Sequence, residues 1–130
     1  MSNADIIRAH YAASDRGDLA GMVADFADDV SWTEAAGFPL AGTYTGPQGV
    51  IDNVFRKLGE DWDGYTVAID DVVDGGDTVV GIGTYSGTHR ATGRFFAARV
   101  AHVWRLAGAK VVAFEQFTDT LLVARAAERF

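Results

Sequence analysis

The chain has no cysteine, which removes disulfides, thiol nucleophiles and zinc–thiolate clusters and suits a reducing cytosol. It has only two prolines, and no apolar run reaches the ~18 residues of a membrane-spanning helix. Basic residues are scarce, 11 against 18 acidic ones, giving a net charge of -7. Without a basic stripe there is no surface suited to the phosphates of a nucleic acid. The start, MSNADIIRAH, lacks a positively charged segment followed by a long apolar run. No signal peptide is therefore expected, and the chain is read as cytoplasmic. Phosphate loops, HExxH and nucleophile elbows are absent as well. The stretch Gly81-Ile82-Gly83-Thr84-Tyr85-Ser86-Gly87 is not a dinucleotide fingerprint, because its third glycine is misplaced and no helix follows. Neither a metal nor a cofactor is implied. What remains is 130 residues, 48% hydrophobic and 12% aromatic, a single domain over 1–130 with an ordinary core.

The spacing of apolar residues predicts helices first and strands afterwards. Ser2 or Asn3 can cap a helix over Ala4–Asp15, with Ile7, Tyr11 and Ser14 on one face and Ile6 and His10 beside them. Gly17 ends it, and Asp18 caps a second helix whose face is Leu19, Met22, Val23 and Phe26. A short strand, Val30–Glu34, precedes a glycine-rich loop over Ala36–Gly49 with a brief strand at Thr43–Thr45. A third helix is expected over Gln48–Leu58, with Pro47 at its first turn. Strands then follow at Thr66–Val73, Thr78–His89, Phe95–Leu106 and Lys110–Asp119, before a closing helix over Leu121–Arg129. This order reads as α+β, a curved antiparallel sheet wrapped around the N-terminal helices into a cone with an apolar pocket.

Strand parity then separates the faces. In Phe95–Leu106 the even positions carry Phe96, Ala98, Val100, His102 and Trp104, while the odd ones include Arg99 and Arg105. The even face is inward, with His102 its one polar member. In Val111–Asp119 the even set Val112, Phe114, Gln116 and Thr118 is the inward candidate. For Thr78–His89, Val80 and Ile82 favour the even face, yet Tyr85 would then point outward, so both faces stay open. Glu34, one of four glutamates, ends the Trp32-containing strand. A carboxylate in an apolar mouth has its charged form disfavoured, which suits a general acid or base. An imidazole nearby can donate to a developing oxyanion or shuttle a proton.

Each of these residues also has a plainer reading. His102 can be a hydrogen-bonded core histidine, Glu34 the partner of an arginine, and Gln116 a buried amide satisfying its neighbours. His10 and Tyr11 can be packing residues between helix and sheet, and Asp119 a helix cap. Asp70, Asp71, Asp74 and Asp77 read as a solvated turn.

Three segments, AHYAASDRGDLAGMVADFADDVSW, GTYTGPQGVIDNVF and FAARVAHVWRLAGAKVVAFEQFTDT, resemble the SnoaL-like proteins over essentially the whole chain. Those proteins belong to the nuclear transport factor 2-like superfamily (cystatin-like cones), together with ketosteroid isomerases and limonene epoxide hydrolases. The resemblance implies that Glu34, in DDVSWTE, stands where the isomerases carry their aspartate base. His102, in HVWR, stands where they carry a protonated aspartic oxyanion donor. Their tyrosine donor falls at His10 or Tyr11. Polyketide cyclases of the superfamily have histidine at the His102 position and aspartate where this chain has Gln116. Gln116 cannot be that acid or base, Phe26 replaces a supporting tyrosine of the isomerases, and Arg99 faces away from any epoxide hydrolase trio.

Two functions fit this pattern. One is a proton-transfer enzyme acting on a small apolar carbonyl compound. Glu34 would abstract an α-proton, His102 with Tyr11 would stabilise the enolate, and Gln116 would orient the substrate. The other is a non-catalytic domain that binds a hydrophobic ligand in the same pocket. The expected walls are Phe26, Trp32, Phe38, Phe55, Trp62, Phe96, Val100, Trp104 and Phe114, with Thr118 alongside. The resemblance further implies a homodimer through the open face of the sheet, where Arg99, Arg105, Glu115 and Asp119 would lie. Expected partners are thus a small apolar molecule and a second copy, with no nucleic acid and no membrane.

Overall fold

Ser2 starts the first helix by a reciprocal cap. Its hydroxyl accepts from the Asp5 N–H at 3.1 Å, and the Asp5 carboxylate accepts from the Ser2 N–H at 3.2 Å. In the computed structural model, which describes residues 1–128, this helix is α1 (Asn3–Asp15). Asp18 caps α2 (Leu19–Met22) by accepting from Gly21 N–H at 2.9 Å. The second helix is shorter than the apolar spacing predicts. Phe26 does not extend its face; it begins β1 (Phe26–Glu34), where it pairs with Val111. Strand pairing outcompetes a helical continuation that has a glycine, Gly21, in its only full turn. Asp28 and Asp29 lie exposed in a register shift of β1 between Phe26 and Ser31.

β2 (Gly42–Thr45) returns antiparallel along β1. Pro47 then opens α3 (Pro47–Val50), which runs through a π-helical turn at Ile51–Phe55 into α4 (Arg56–Asp61). Four long strands follow: β3 (Trp62–Gly75), β4 (Thr78–His89), β5 (Phe95–Ala107) and β6 (Lys110–Thr118). Asp119 caps the closing α5 (Thr120–Ala127); Arg129, the expected end of that helix, is outside the described residues. β3 starts at Trp62, ahead of the expected Thr66, so Asp70 and Asp71 belong to a strand and only Asp74 and Asp77 flank the turn. Asp70 faces outward and pairs with Arg99 at 2.6 Å.

The strands form one curved, unclosed sheet in the order β2-β1-β6-β5-β4-β3. Every pairing is antiparallel except that of β1 with β6, which is parallel. No hairpin joins those two strands, so turn geometry does not dictate their direction. The α1 helix lies against β3 and β4, and α5 closes the end over β5 and β4. Inside, Trp32 of β1 stacks on its register partner Phe114 of β6, with ring centroids 3.6 Å apart, and Trp104 is wholly buried beside them.

Parity holds for β5, whose even positions are buried. It resolves β4 in favour of the odd face, since Val79, Gly81, Gly83, Tyr85 and Gly87 all point inward. In β6 the expected even face applies only to Phe114 and Gln116. A register irregularity between Arg105 and Leu106 turns Val111 inward and Val112 outward.

The inward glycines of β4 are spaces, each occupied by a neighbour. A Cβ on Gly83 would overlap the Ala68 carbonyl oxygen and crowd the Ile69 backbone, beside the bulge of β3. Main chain cannot swing aside as a side chain can. Gly83→Ala should therefore lower the free energy of unfolding by about 1–3 kcal/mol, measured by urea denaturation.

Candidate functional site

Between α1, α4 and the inner face of β3–β5 lies a cavity of about 470 Å³, within the usual range for small-ligand sites. Of the residues singled out from sequence, Tyr11, Trp32, Phe55, Trp62 and His102 line it, and so does His10. Phe26, Phe38, Phe96, Val100, Trp104 and Phe114 are buried in the core and do not reach the cavity wall. Their side chains are consumed in packing the interior, as in the stack of Phe114 on Trp32 of the neighbouring strand. Thr118 is directed elsewhere, its hydroxyl donating to the Arg99 carbonyl at 2.8 Å. Two wall residues carry no sequence signal strong enough to single them out, Tyr65 and Tyr85. The odd-face glycines around Tyr85 are the clue that parity by hydropathy passes over.

Both N-terminal candidates face inward, but they do different things. His10 donates its Nδ1–H to the Met22 carbonyl at 2.7 Å and packs edge-on to Trp104. Burial holds it neutral, with its pKa lowered to about 4. Tyr11 crosses the sheet at Gly81, the register partner of His102, where any Cβ would overlap the phenol. Its hydroxyl accepts from Trp104 Nε1–H at 2.9 Å and lies 2.7 Å from His102 Nδ1. On the other side of the imidazole, Nε2 is hydrogen-bonded to the Tyr85 hydroxyl. Tyr85 in turn accepts from Gln116 Nε2–H at 2.9 Å, and Gln116 Oε1 accepts from the Ala35 N–H at 3.0 Å.

This chain of bonds settles the plainer readings of Gln116 and His102. Gln116 is a buried amide with both ends engaged. His102 has both ring nitrogens engaged by tyrosines and keeps neither for a ligand. Burial, reinforced by the proximity of His10, lowers its pKa to about 3, so it is neutral. A neutral imidazole carries one N–H and one bare nitrogen. The tyrosine opposite the bare nitrogen gives it its proton. The other tyrosine accepts twice, from the imidazole and from Trp104 or Gln116, and its own proton stays uncommitted. Both tyrosines line the cavity, so one hydroxyl proton is left to face it, on an oxygen that two donors polarise. Burial also pushes the Tyr11 and Tyr85 pKa values far up, which keeps both phenols protonated.

Glu34 is 3% exposed and has no arginine partner among the described residues. It follows Trp32 by two positions on β1, hence on the same face. It is not itself part of the cavity wall. Its charge nevertheless acts on the wall hydroxyls of Tyr65 and Tyr85, both also held protonated by burial. Desolvation raises the Glu34 pKa to about 8, against a smaller opposing effect from the nearby Trp32 indole. Its Oε2, Trp32 Nε1 and the Tyr65 hydroxyl are buried without a hydrogen-bond partner among the described residues. The two sides of the site differ accordingly: the polar groups around His102 are saturated, and those around Glu34 are not.

These shifts give stability a defined pH profile. Between pH 4.5 and 6.5 the unfolded chain takes protons on His10 and His102 that the folded one refuses, while the folded chain keeps one on Glu34. The net excess of one proton on the unfolded side makes stability rise with pH by about 1.4 kcal/mol per unit. From pH 6.5 to 8 only Glu34 differs, with the folded state holding the extra proton, so stability falls by a similar slope. Denaturant unfolding across pH 4–9 should therefore peak near pH 6.5, and Glu34→Gln should abolish the decline above it.

The SnoaL-like domain profile matches residues 7–114. An uncharacterised protein of Mycobacterium tuberculosis is 32% identical over 117 residues, which is 87% of this chain and 86% of that one. The crystal structure of an NTF2-like protein from Burkholderia thailandensis superposes with a TM-score of 0.97 at 57% identity, over 99% of each chain. The structure of TerC co-crystallised with polyporic acid superposes with a TM-score of 0.85 at 27% identity, over 98% of each chain. A cone with these neighbours and this profile places the chain in the SnoaL-like family, with an NTF2-like fold.

Proposed function

We propose that the chain is a proton-transfer enzyme acting on a small apolar carbonyl compound, with Glu34 as the group that takes and returns the proton. The observation that carries this reading is the pairing of a buried carboxyl, unpartnered among the described residues, with a cavity whose lining offers one uncommitted tyrosine proton. The substrate carbonyl oxygen accepts from whichever hydroxyl, Tyr11 or Tyr85, is left free by the His102 tautomer. Negative charge that develops there on removal of an α-proton meets a fixed donor in a dry site. His102 is then a positioning residue, and Gln116 fixes Tyr85 instead of touching substrate. A carboxyl of pKa about 8 is matched to protons on weakly acidic carbon better than an ordinary one. Crystals of the relative TerC with polyporic acid support a small-molecule pocket in this fold.

A simple probe is 2-tetralone, whose α-protons exchange with deuterium in a reaction followed by NMR. The protein should accelerate exchange, with a rate that rises with pH toward a plateau above about 8 as Glu34 ionises. Glu34→Gln should lower the rate by about 10²–10⁴-fold. Saturable binding of 2-tetralone with no acceleration, unchanged in Glu34→Gln, would instead favour a non-catalytic ligand-binding domain.

We also propose that the outward face of the sheet pairs with a second copy. Phe95 and Phe117 stand exposed there at 67% and 50%, beside Arg99 and Glu115. Sedimentation equilibrium at micromolar concentration should give a dimer, and Phe117→Lys should shift it toward monomer.

A further inference from the structure

Three buried side-chain atoms have no hydrogen-bond partner among the described residues: Trp32 Nε1, Glu34 Oε2 and the Tyr65 hydroxyl. Elsewhere in the interior the pattern is the reverse, with His10, Tyr11, Tyr85, His102 and Gln116 all engaged. Buried polar groups left unmet are costly, and a cluster of them at a cavity, two on its wall and one behind it, marks a place where another molecule supplies the partners.

The three atoms belong to one locale. Trp32 and Glu34 share a face of β1, the indole N–H acts on the carboxyl, and the carboxyl acts on the Tyr65 hydroxyl. Trp32 and Tyr65 line the cavity. We propose that Trp32, Tyr65 and Glu34 form a subsite that recognises a hydroxyl group on a flat, apolar ring compound held in the cavity.

The donor inventory selects the group. An indole N–H only donates, a phenol hydroxyl donates or accepts, and the Glu34 carboxyl, protonated below about pH 8, can donate as well as accept. An ammonium group would pair with the carboxyl but leave the indole N–H without an acceptor. An oxo group has two lone pairs and no proton, so it leaves one of the three unmet whether the carboxyl is protonated or ionised. A hydroxyl donates once and accepts twice, so it satisfies all three together. The ring preference follows from the walls, where Trp32 stands edge-on to Phe55 at 5.3 Å and Trp62, Tyr65 and Tyr85 add further aromatic surface. This inference deepens the preceding one: it rests on the cavity being a small-molecule site, and it names a feature of what enters.

The test compares 2-naphthol with naphthalene at pH 7 by equilibrium binding to the intact protein. In Tyr65→Phe the affinity for 2-naphthol should fall about fivefold, the effect of one net hydrogen bond, while that for naphthalene stays within twofold. Trp32→Phe should reduce the same preference. The water phase cancels when the ratio of the two affinities is compared between variant and native protein. An unchanged ratio in both variants overturns the subsite, and so does a lack of saturable binding by either probe. Proton exchange on 2-tetralone is read separately. Retained hydroxyl preference without exchange rejects the proton-transfer reading and leaves the subsite standing, and exchange without the preference does the opposite.

Discussion

A histidine almost wholly removed from water holds this structure's site together. His102 sits in an aromatic interior, where a charged imidazole is disfavoured and an unpartnered one is costly. Both its nitrogens must therefore be met by groups from elsewhere in the chain. One comes from α1 through Tyr11, and the other from β4 through Tyr85. Trp104 and Gln116 then anchor those two hydroxyls, and Gln116 reaches on to the backbone just past β1. A single line of hydrogen bonds thus ties together α1, β4, β5, β6 and the end of β1. Gly81 is the opening that lets the helix side of this line approach the sheet.

The same line creates an asymmetry across the cavity. Around His102 every polar group is hydrogen-bonded, and the proton count leaves one tyrosine proton over. Around Glu34 its Oε2, an indole N–H and a phenol have no partners among the described residues. A cavity lined by some saturated and some unmet polar groups holds a polar ligand in a preferred orientation, because turning it around would leave buried groups unmatched. Orientation is what proton transfer requires, since a carboxyl acts only on the hydrogen placed before it. Low polarity around the carboxyl raises its pKa and strengthens the tyrosine's hold on developing charge, so burial serves both ends of the reaction.

Much of this was legible in the residue pattern, and the failures have physical causes. β5 alternates cleanly because large apolar side chains fill its inward face, so His102 was assigned correctly. β4 defeated the same reasoning because its inward face is largely glycine, with hydropathy carried outward by Val80 and Ile82. The volume on that face is supplied by other elements, Tyr11 over Gly81 and the bulge of β3 against Gly83. Val112 was misplaced by an irregularity in the β5–β6 register, which no local period reports. Phe26 has helical spacing to Leu19 and Met22, yet it found a better partner in Val111, far along the chain.

The linear sequence was sufficient for the order of elements, the caps at Asp18 and Asp119 and the inward position of His102. These are local properties, set by spacing, turn chemistry and polarity over a few residues. The tertiary structure decided the chemistry of the site: that His102 is clamped between Tyr11 and Tyr85, that Gln116 supports a tyrosine, and that Trp32 and Tyr65, on the cavity wall, are left unmet together with the buried Glu34. Those outcomes depend on residues tens of positions apart meeting in a dry interior. There the cost of an unpaired polar atom, which no local pattern contains, selects the partners.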